Sequence, residues 1–396
     1  MPSLLHKSAG CDSCCIFRVP QSLVEINRKA YEPHIVSIGP YHHGKDHLKM
    51  IEEHKWRFLG SLLSRTQSNG QRLALEDYYE EIASVEDRVR QSYSGDIEFS
   101  SDKFIEMMVF DGCFIIEIFR IVGGLVFVDQ NDPIFTMQWI FSSLMRDLIK
   151  LENQIPFFVL QRLFNLSKQH GEPSLSTFAF KFFNNALQRP EEVLERYSNL
   201  DALHLLGLLR LSLIPINNEP KKTNSSPKII PCATKLSQTG FKFKARKSDT
   251  LLDISFRNGV IEIPTVAIDD FTTSNMHINT YAAFLGCLIK TPKDIELLQD
   301  TDIIENYFGT NEEVARFFND LGKDVALDIE MCYLSKLFED TNEYYRNTWH
   351  VQWASFKHTY FDTPWSFLSA LAAVILLLLT LAQTVFSVFG YIHPSS

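Results

Sequence analysis

Glycine and proline are scarce in this 396-residue chain, at 17 and 16 residues, and no segment repeats. That scarcity excludes a collagen-like, low-complexity or mainly disordered chain. Positive charge is not in excess. Lys and Arg number 38 against 48 Asp and Glu, a formal net charge of −10, so a nucleic-acid binder working through overall charge is not expected. The seven cysteines, at 11, 14, 15, 113, 232, 287 and 332, are odd in number and unpatterned. They form no disulfide framework and suit a reducing compartment. Cys11, Cys14 and Cys15 cluster, but no second pair completes the four ligands that zinc needs. The first twenty residues hold no apolar core of the roughly 7–15 residues that a secretory signal requires. No G-x-S-x-G elbow, H-E-x-x-H helix or G-x-G-x-x-G loop is present.

What is present is aromatic and apolar. Phe occurs 31 times and 45% of the chain is hydrophobic, enough for a core rich in ring packing. Phe367 to Phe389 is 23 residues of almost wholly apolar sequence, bracketed by Trp365 and Tyr391. About 20 such residues span a bilayer core, so 364–391 reads as one transmembrane helix in contact with lipid. The 20 residues before it carry Arg346 and Lys357, and the short tail 392–396 carries no basic residue. The positive-inside rule therefore puts the body in the cytoplasm and the tail across the membrane. Met108 to Val128 is also apolar but carries Asp111, Glu117 and Arg120, which makes it a core helix.

The rest organises as a flexible arm over 1–15 and a body over 16–362. The body reads as helical over 40–213, a polar loop over 217–231, β-rich over 240–268 and helical again over 280–355. Leu48, Ile51, Lys55, Phe58, Leu59 and Leu62 recur at helical spacing, as do Ile82, Val85, Val89 and Tyr93. Asn258-Gly259 between two β-rich runs predicts a type I′ hairpin and a small antiparallel sheet. Thr310 with Glu313 predicts a capping box. Charge is segregated. Lys221 to Lys247 holds eight basic residues and no acid, while Lys293 to Glu343 holds fourteen acids and four basic residues. The basic stretch reads either as a solvated surface or as a contact for anionic lipid headgroups.

Several motifs in chain order resemble the plant family called domain of unknown function 247, or UPF-0481. They include Ile16-Phe17-Arg18-Val19-Pro20, Ser37-Ile38-Gly39-Pro40-Tyr41-His42-His43-Gly44 and Glu53-His54-Lys55-Trp56-Arg57. They continue through Asp111-Gly112-Cys113-Phe114, Asp147, Leu151-Glu152-Asn153-Gln154-Ile155-Pro156 and Pro364-Trp365. The resemblance implies a mostly helical membrane protein with one C-terminal anchor, no established enzymatic activity and, in some grass members, a role in self-incompatibility. The family motif residues here are Tyr41, His42, His43, Gly44, Glu152, Asn153 and Gln154. The segment 274–280 is shorter than the resemblance leads one to expect.

Gly39 to Lys45 also fits G-x-x-x-x-G-K. However, Asp46 stands where a phosphate loop needs Ser or Thr, and Pro40, Tyr41 and two His crowd the loop. His43, His47 and His54 share one side of a helical projection, but His43 precedes the helix. Asp111, Asp147, Glu152 and His54 are the candidate pocket of an alternative reading, a membrane-associated enzyme. Against it, Glu152-Asn153-Gln154 ahead of Pro156 reads as a polar knot that satisfies backbone groups. The expectation is therefore a mainly α-helical (α+β) body with a small antiparallel β-hairpin element and one C-terminal transmembrane helix. It serves interaction or signalling through an unidentified protein partner, with no nucleic acid, metal or cofactor. An extracellular recognition protein is the alternative if the topology is reversed.

Overall fold

The computed structural model describes residues 14–26, 28–68, 73–129, 131–187, 189–213, 229–248, 250, 252–268, 279–307, 309–324, 334–346 and 364–392. Most of the 1–15 arm, the 217–231 loop, the 274–280 segment and the 392–396 tail lie outside them.

An extended segment, His34–Gly39, leads through a 3₁₀ turn at Asp46–Ile51 into α1 (Glu52–Ser68). Then come α2 (Leu75–Ala83) and α3 (Glu86–Gln91). The stripe Ile82, Val85, Val89, Tyr93 reads as one helix, but the backbone leaves helical geometry at Val85 (φ −125°) and splits it in two. The stripe still packs inward: Ile82, Val89 and Tyr93 are fully buried. Next is α4 (Ser101–Val122), buried at nearly every position from Phe104 to Arg120. A helix apolar on all sides belongs in a core, and α4 is the axis on which α1, α2, α6 and α7 pack. The longer helices that follow in this half are α5 (Gln138–Asp147), α6 (Phe157–Ser167), α7 (Leu175–Leu187) and α8 (Leu205–Leu213).

The pairing along α1 and α4 ascends in step. Lys55 meets Asp111, Phe58 meets Phe114 and Arg65 meets Glu117, so these two helices run in the same direction. Gly112 lets α6 close onto α4, because a Cβ there would lie 2.3 Å from Leu163 Cδ1. Phe119, Phe182 and Phe183 cluster between α4 and α7 with centroids 5.1–6.3 Å apart, Phe183 edge-on to both of the others and Phe119 tilted against Phe182. The abundance of Phe is thus spent on ring packing in the core.

The β-rich region follows α9 (Ala233–Gln238). Its strands are β1 (Lys242–Arg246), β2 (Ser255–Arg257) and β3 (Val260–Pro264). The β2–β3 hairpin is antiparallel, and Asn258 (φ 47°) and Gly259 (φ 79°) both take the positive values that a type I′ turn needs. The sheet is mixed rather than purely antiparallel, because β1 joins the other side of β3 in parallel. A connection longer than a tight turn, 247–254, lets β1 do so. Beyond it lie β4 (Val266–Ile268), α10 (Asn279–Leu288), α11 (Pro292–Asp300), β5 (Ile304–Asn306, parallel to β4) and α12 (Asn311–Asp324). The Thr310 capping box forms: the Glu313 carboxylate accepts the Thr310 N–H at 2.8 Å, and Thr310 Oγ1 accepts the Glu313 N–H at 3.3 Å. In α13 (Ser335–Arg346), Tyr344 lies edge-on to Phe241 and Phe256 beneath the sheet. The last element, α14 (Pro364–Ile392), contains a 21-residue, largely apolar span, Leu368–Val388, none of it buried.

Candidate functional site

Ile35, Val36 and Ile38 bury their side chains. Their backbone follows them inward without a neighbouring strand to bond to. Buried N–H groups need acceptors, and here the helical body supplies them as side chains. The Asp147 carboxylate, at the end of α5, accepts the N–H groups of His34 (2.9 Å), Ile35 (2.8 Å) and Val36 (3.1 Å). Asn153 Oδ1 accepts Ile38 N–H at 2.8 Å, and its amide donates back to Val36 O at 3.1 Å. Asp111 Oδ2 accepts Gly39 N–H at 2.7 Å, and Glu152 Oε1 accepts Val19 N–H at 2.6 Å. Four side chains thus hold six amides of the N-terminal strap, and the three carboxylates make charge-assisted bonds.

Lys55 closes this network from α1. It is 1% exposed, and its ammonium donates to Ser37 O and to Glu52, each at 2.6 Å, while pairing with Asp111 Oδ1 at 2.6 Å. Burial pulls the Lys55 ammonium down, but Asp111 and Glu52 outweigh it and hold it above its ordinary value. Gly39 sits at φ +73° where a Cβ would lie 2.5 Å from Gln154 O, so both the backbone and the space require glycine. Gln154 Nε2 donates to Leu148 O (2.7 Å) and Lys150 O (2.9 Å), and Leu206 N–H in α8 donates to its Oε1. The polar knot therefore does satisfy a helix end, and it also reaches the strap more than a hundred residues away.

His42 is buried between Lys45 and Glu152. An ammonium can only donate, so the Lys45 Nζ contact of 2.9 Å makes His42 Nδ1 the acceptor. The ring proton is then on Nε2, 3.2 Å from Glu152 Oε2. Burial alone would raise the Glu152 carboxyl, but His42, the Val19 N–H and Arg18 hold it below the usual range. Tyr41 donates to Ser94 O at 2.7 Å, and exposed His43 stands edge-on to Phe99. Burial also pulls the Lys150 ammonium down to about 8, against the pull of Asp147.

A second charged network was not singled out in the sequence. Arg65 forks onto Glu117 (2.7 and 2.5 Å), Arg120 bonds Glu117 at 3.0 Å and Glu172 at 2.7 Å, and Arg120 reaches Ser167 O at 3.1 Å. It joins α1, α4 and the end of α6. The signal was available in Glu117 and Arg120, two charges at i, i+3 inside an otherwise apolar helix.

Of the four candidate pocket residues, Asp111 and Asp147 hold neighbouring stretches of the strap and Glu152 holds the strap at Val19. His54 stands apart, half-buried on α1, where its Nδ1 faces Arg57 Nη2 at 3.0 Å. Arg57 in turn pairs with Asp132 at 2.5 Å. The Gly39–Lys45 loop lacks the setting of a phosphate loop, because among the described residues no strand leads into it and its first amide donates to Asp111. Among the described residues no group of three or more His, Cys, Asp or Glu is placed to hold a metal ion.

Residues 16–379 match the DUF247 family, described as plant protein of unknown function. A UPF0481 protein of Arabidopsis thaliana is 37% identical over 431 residues, covering 99% of this chain and 90% of that protein. A second UPF0481 protein of the same plant is 22% identical over 487 residues, covering 95% of this chain and 90% of its own. No solved structure matches.

Proposed function

This chain belongs to the plant DUF247 (UPF0481) family, and from that premise we propose that it is a single-pass membrane protein. In this reading its helical body stands on the cytoplasmic side as a binding platform for a protein partner and performs no catalysis. The observation that carries the reading is the α14 helix. Its 21-residue, largely apolar span Leu368–Val388 carries no charge and none of it is buried against the described body, a state that water penalises and a bilayer rewards. The polar groups inside it support the same reading. Thr380 Oγ1 donates to Leu376 O (2.9 Å) and Leu377 O (2.8 Å), and Thr384 Oγ1 donates to Thr380 O (2.7 Å), as hydroxyls surrounded by lipid must. Cys15, Cys113, Cys232 and Cys287 are free thiols, and Cys113 and Cys287 are buried. That favours a reducing compartment for the body.

The platform function draws support from where the polar residues are used. Asp111, Asp147, Glu152 and Asn153 point their acceptors at backbone. Meanwhile Glu296, Asp300, Asp302, Glu305, Glu312 and Glu313 are exposed along α11, β5 and the start of α12, a surface suited to a basic partner. Membrane topology tests the proposal: each end is tagged and vesicles are treated with protease. A protected C-terminal tag with a digested body is the expected result. A protected body would reverse the orientation, and a chain released by alkaline carbonate would refute the anchor.

A further inference from the structure

The three-stranded sheet has two unlike faces. Residues paired across strands point to the same side and alternate along each strand. Phe243, Ile261 and Phe256 form one such row, on the inner face, where Phe256 meets Tyr344 of α13. The opposite face carries Lys242, Val260 and Arg257 in one row and Lys244, Glu262 and Ser255 in the next, with Arg246 beyond. Lys242, Lys244 and Arg257 are exposed and have no ion-pair partner among the described residues. The two acids near this face, Glu262 and Asp253, are both engaged by Arg246, at 3.5 and 3.0 Å. Lys247, just past β1, is exposed as well. This is a cationic surface on a rigid sheet, at the free edge of β1.

We propose that this face binds the headgroups of an anionic bilayer, laying the body against the membrane that α14 enters. The argument rests in part on the anchor reading above. Tyr344 fixes α13 to the underside of the sheet, and only residues 347–363 separate the end of α13 from α14. Seventeen residues reach at most about 60 Å when fully extended, so the sheet is confined near the bilayer at high effective concentration. Lys and Arg near an anionic leaflet each strengthen binding about fivefold. The exposed acids of α11 and α12 are repelled by the same field, which disfavours orientations that turn them to the bilayer.

The test uses the full chain with vesicles of phosphatidylcholine, alone or mixed with phosphatidylserine. Flotation is read beside amine labelling of individual lysines by mass spectrometry. The expected result is flotation with both vesicle types. Labelling of Lys242 and Lys244 should fall several-fold only with phosphatidylserine, while exposed Lys103 is unaffected. High salt or the pair Lys247→Glu and Arg257→Glu, which leaves both reporter lysines in place, should abolish the difference, and inorganic phosphate at equal ionic strength should not reproduce it. Flotation with both vesicle types and identical labelling would overturn the sheet contact and leave the anchor standing. Flotation only with phosphatidylserine, with the lysines protected, would overturn the anchor and keep the contact. No flotation with either would overturn both.

Discussion

Lys55 shows how one side chain can decide whether a segment stays attached. It is the buried cation between Ser37 O, Glu52 and Asp111. Removing it leaves the Asp111 charge without its cation and Ser37 O without its donor. Breaking a buried pair in this way costs about 3–5 kcal/mol. Lys55→Met is therefore expected to lower unfolding stability by that order. Adding Asp111→Asn should restore part of the loss, since Asn still accepts the Gly39 N–H and carries no charge. Denaturant titration of the four proteins of the cycle reads the coupling, and additive losses would refute the pairing. Lys55 was visible in the sequence as a charge inside the apolar stripe of α1. Its distant partner was not, because Asp111 is reached only after α1 and α4 pack in parallel.

Helix α8 carries a cap that responds to pH. His204 precedes it, and its Nδ1 accepts the Gly207 N–H at 3.1 Å. Burial depresses the imidazole to about 4, so the folded chain resists a proton that the unfolded chain accepts near 6.5. The stability is complete above about pH 6.5 and is lost as pH falls toward 4, by at most about 3 kcal/mol. Half-buried His54, held low by burial and by Arg57, adds to the loss with the same sign. His204→Asn keeps a capping acceptor and is expected to flatten the slope between pH 6.5 and 4.5, measured by thermal unfolding. An unchanged slope would assign the loss elsewhere. Elements of this kind differ in how well the sequence announces them. The Asn258-Gly259 turn and the Thr310 capping box are local, and both form as the sequence predicts. The parallel pairing of β1 with β3 joins residues across a connection that carries no turn signal, and β4 finds β5 only past two helices. The polar knot was legible as a satisfier of backbone, but the strap amides it serves lie 115 and 133 residues earlier, beyond any local pattern.

At the scale of the whole molecule, the body and α14 obey different solvents. A chain ending before Pro364 is expected to be soluble without detergent and to keep the helical circular dichroism of the body, whereas the full chain needs detergent or lipid. A truncated chain that aggregates would show that α14 covers part of the body. The strap has a further consequence, in the order of synthesis. Val19 and Gly39 leave the ribosome before the side chains that hold them, which follow 133 and 72 residues later. At roughly 5–20 residues per second the wait is about 4–27 s. The first-made segment therefore waits for helices made after it. For that interval Ile35, Val36 and Ile38 are without their burial site and open to chaperones.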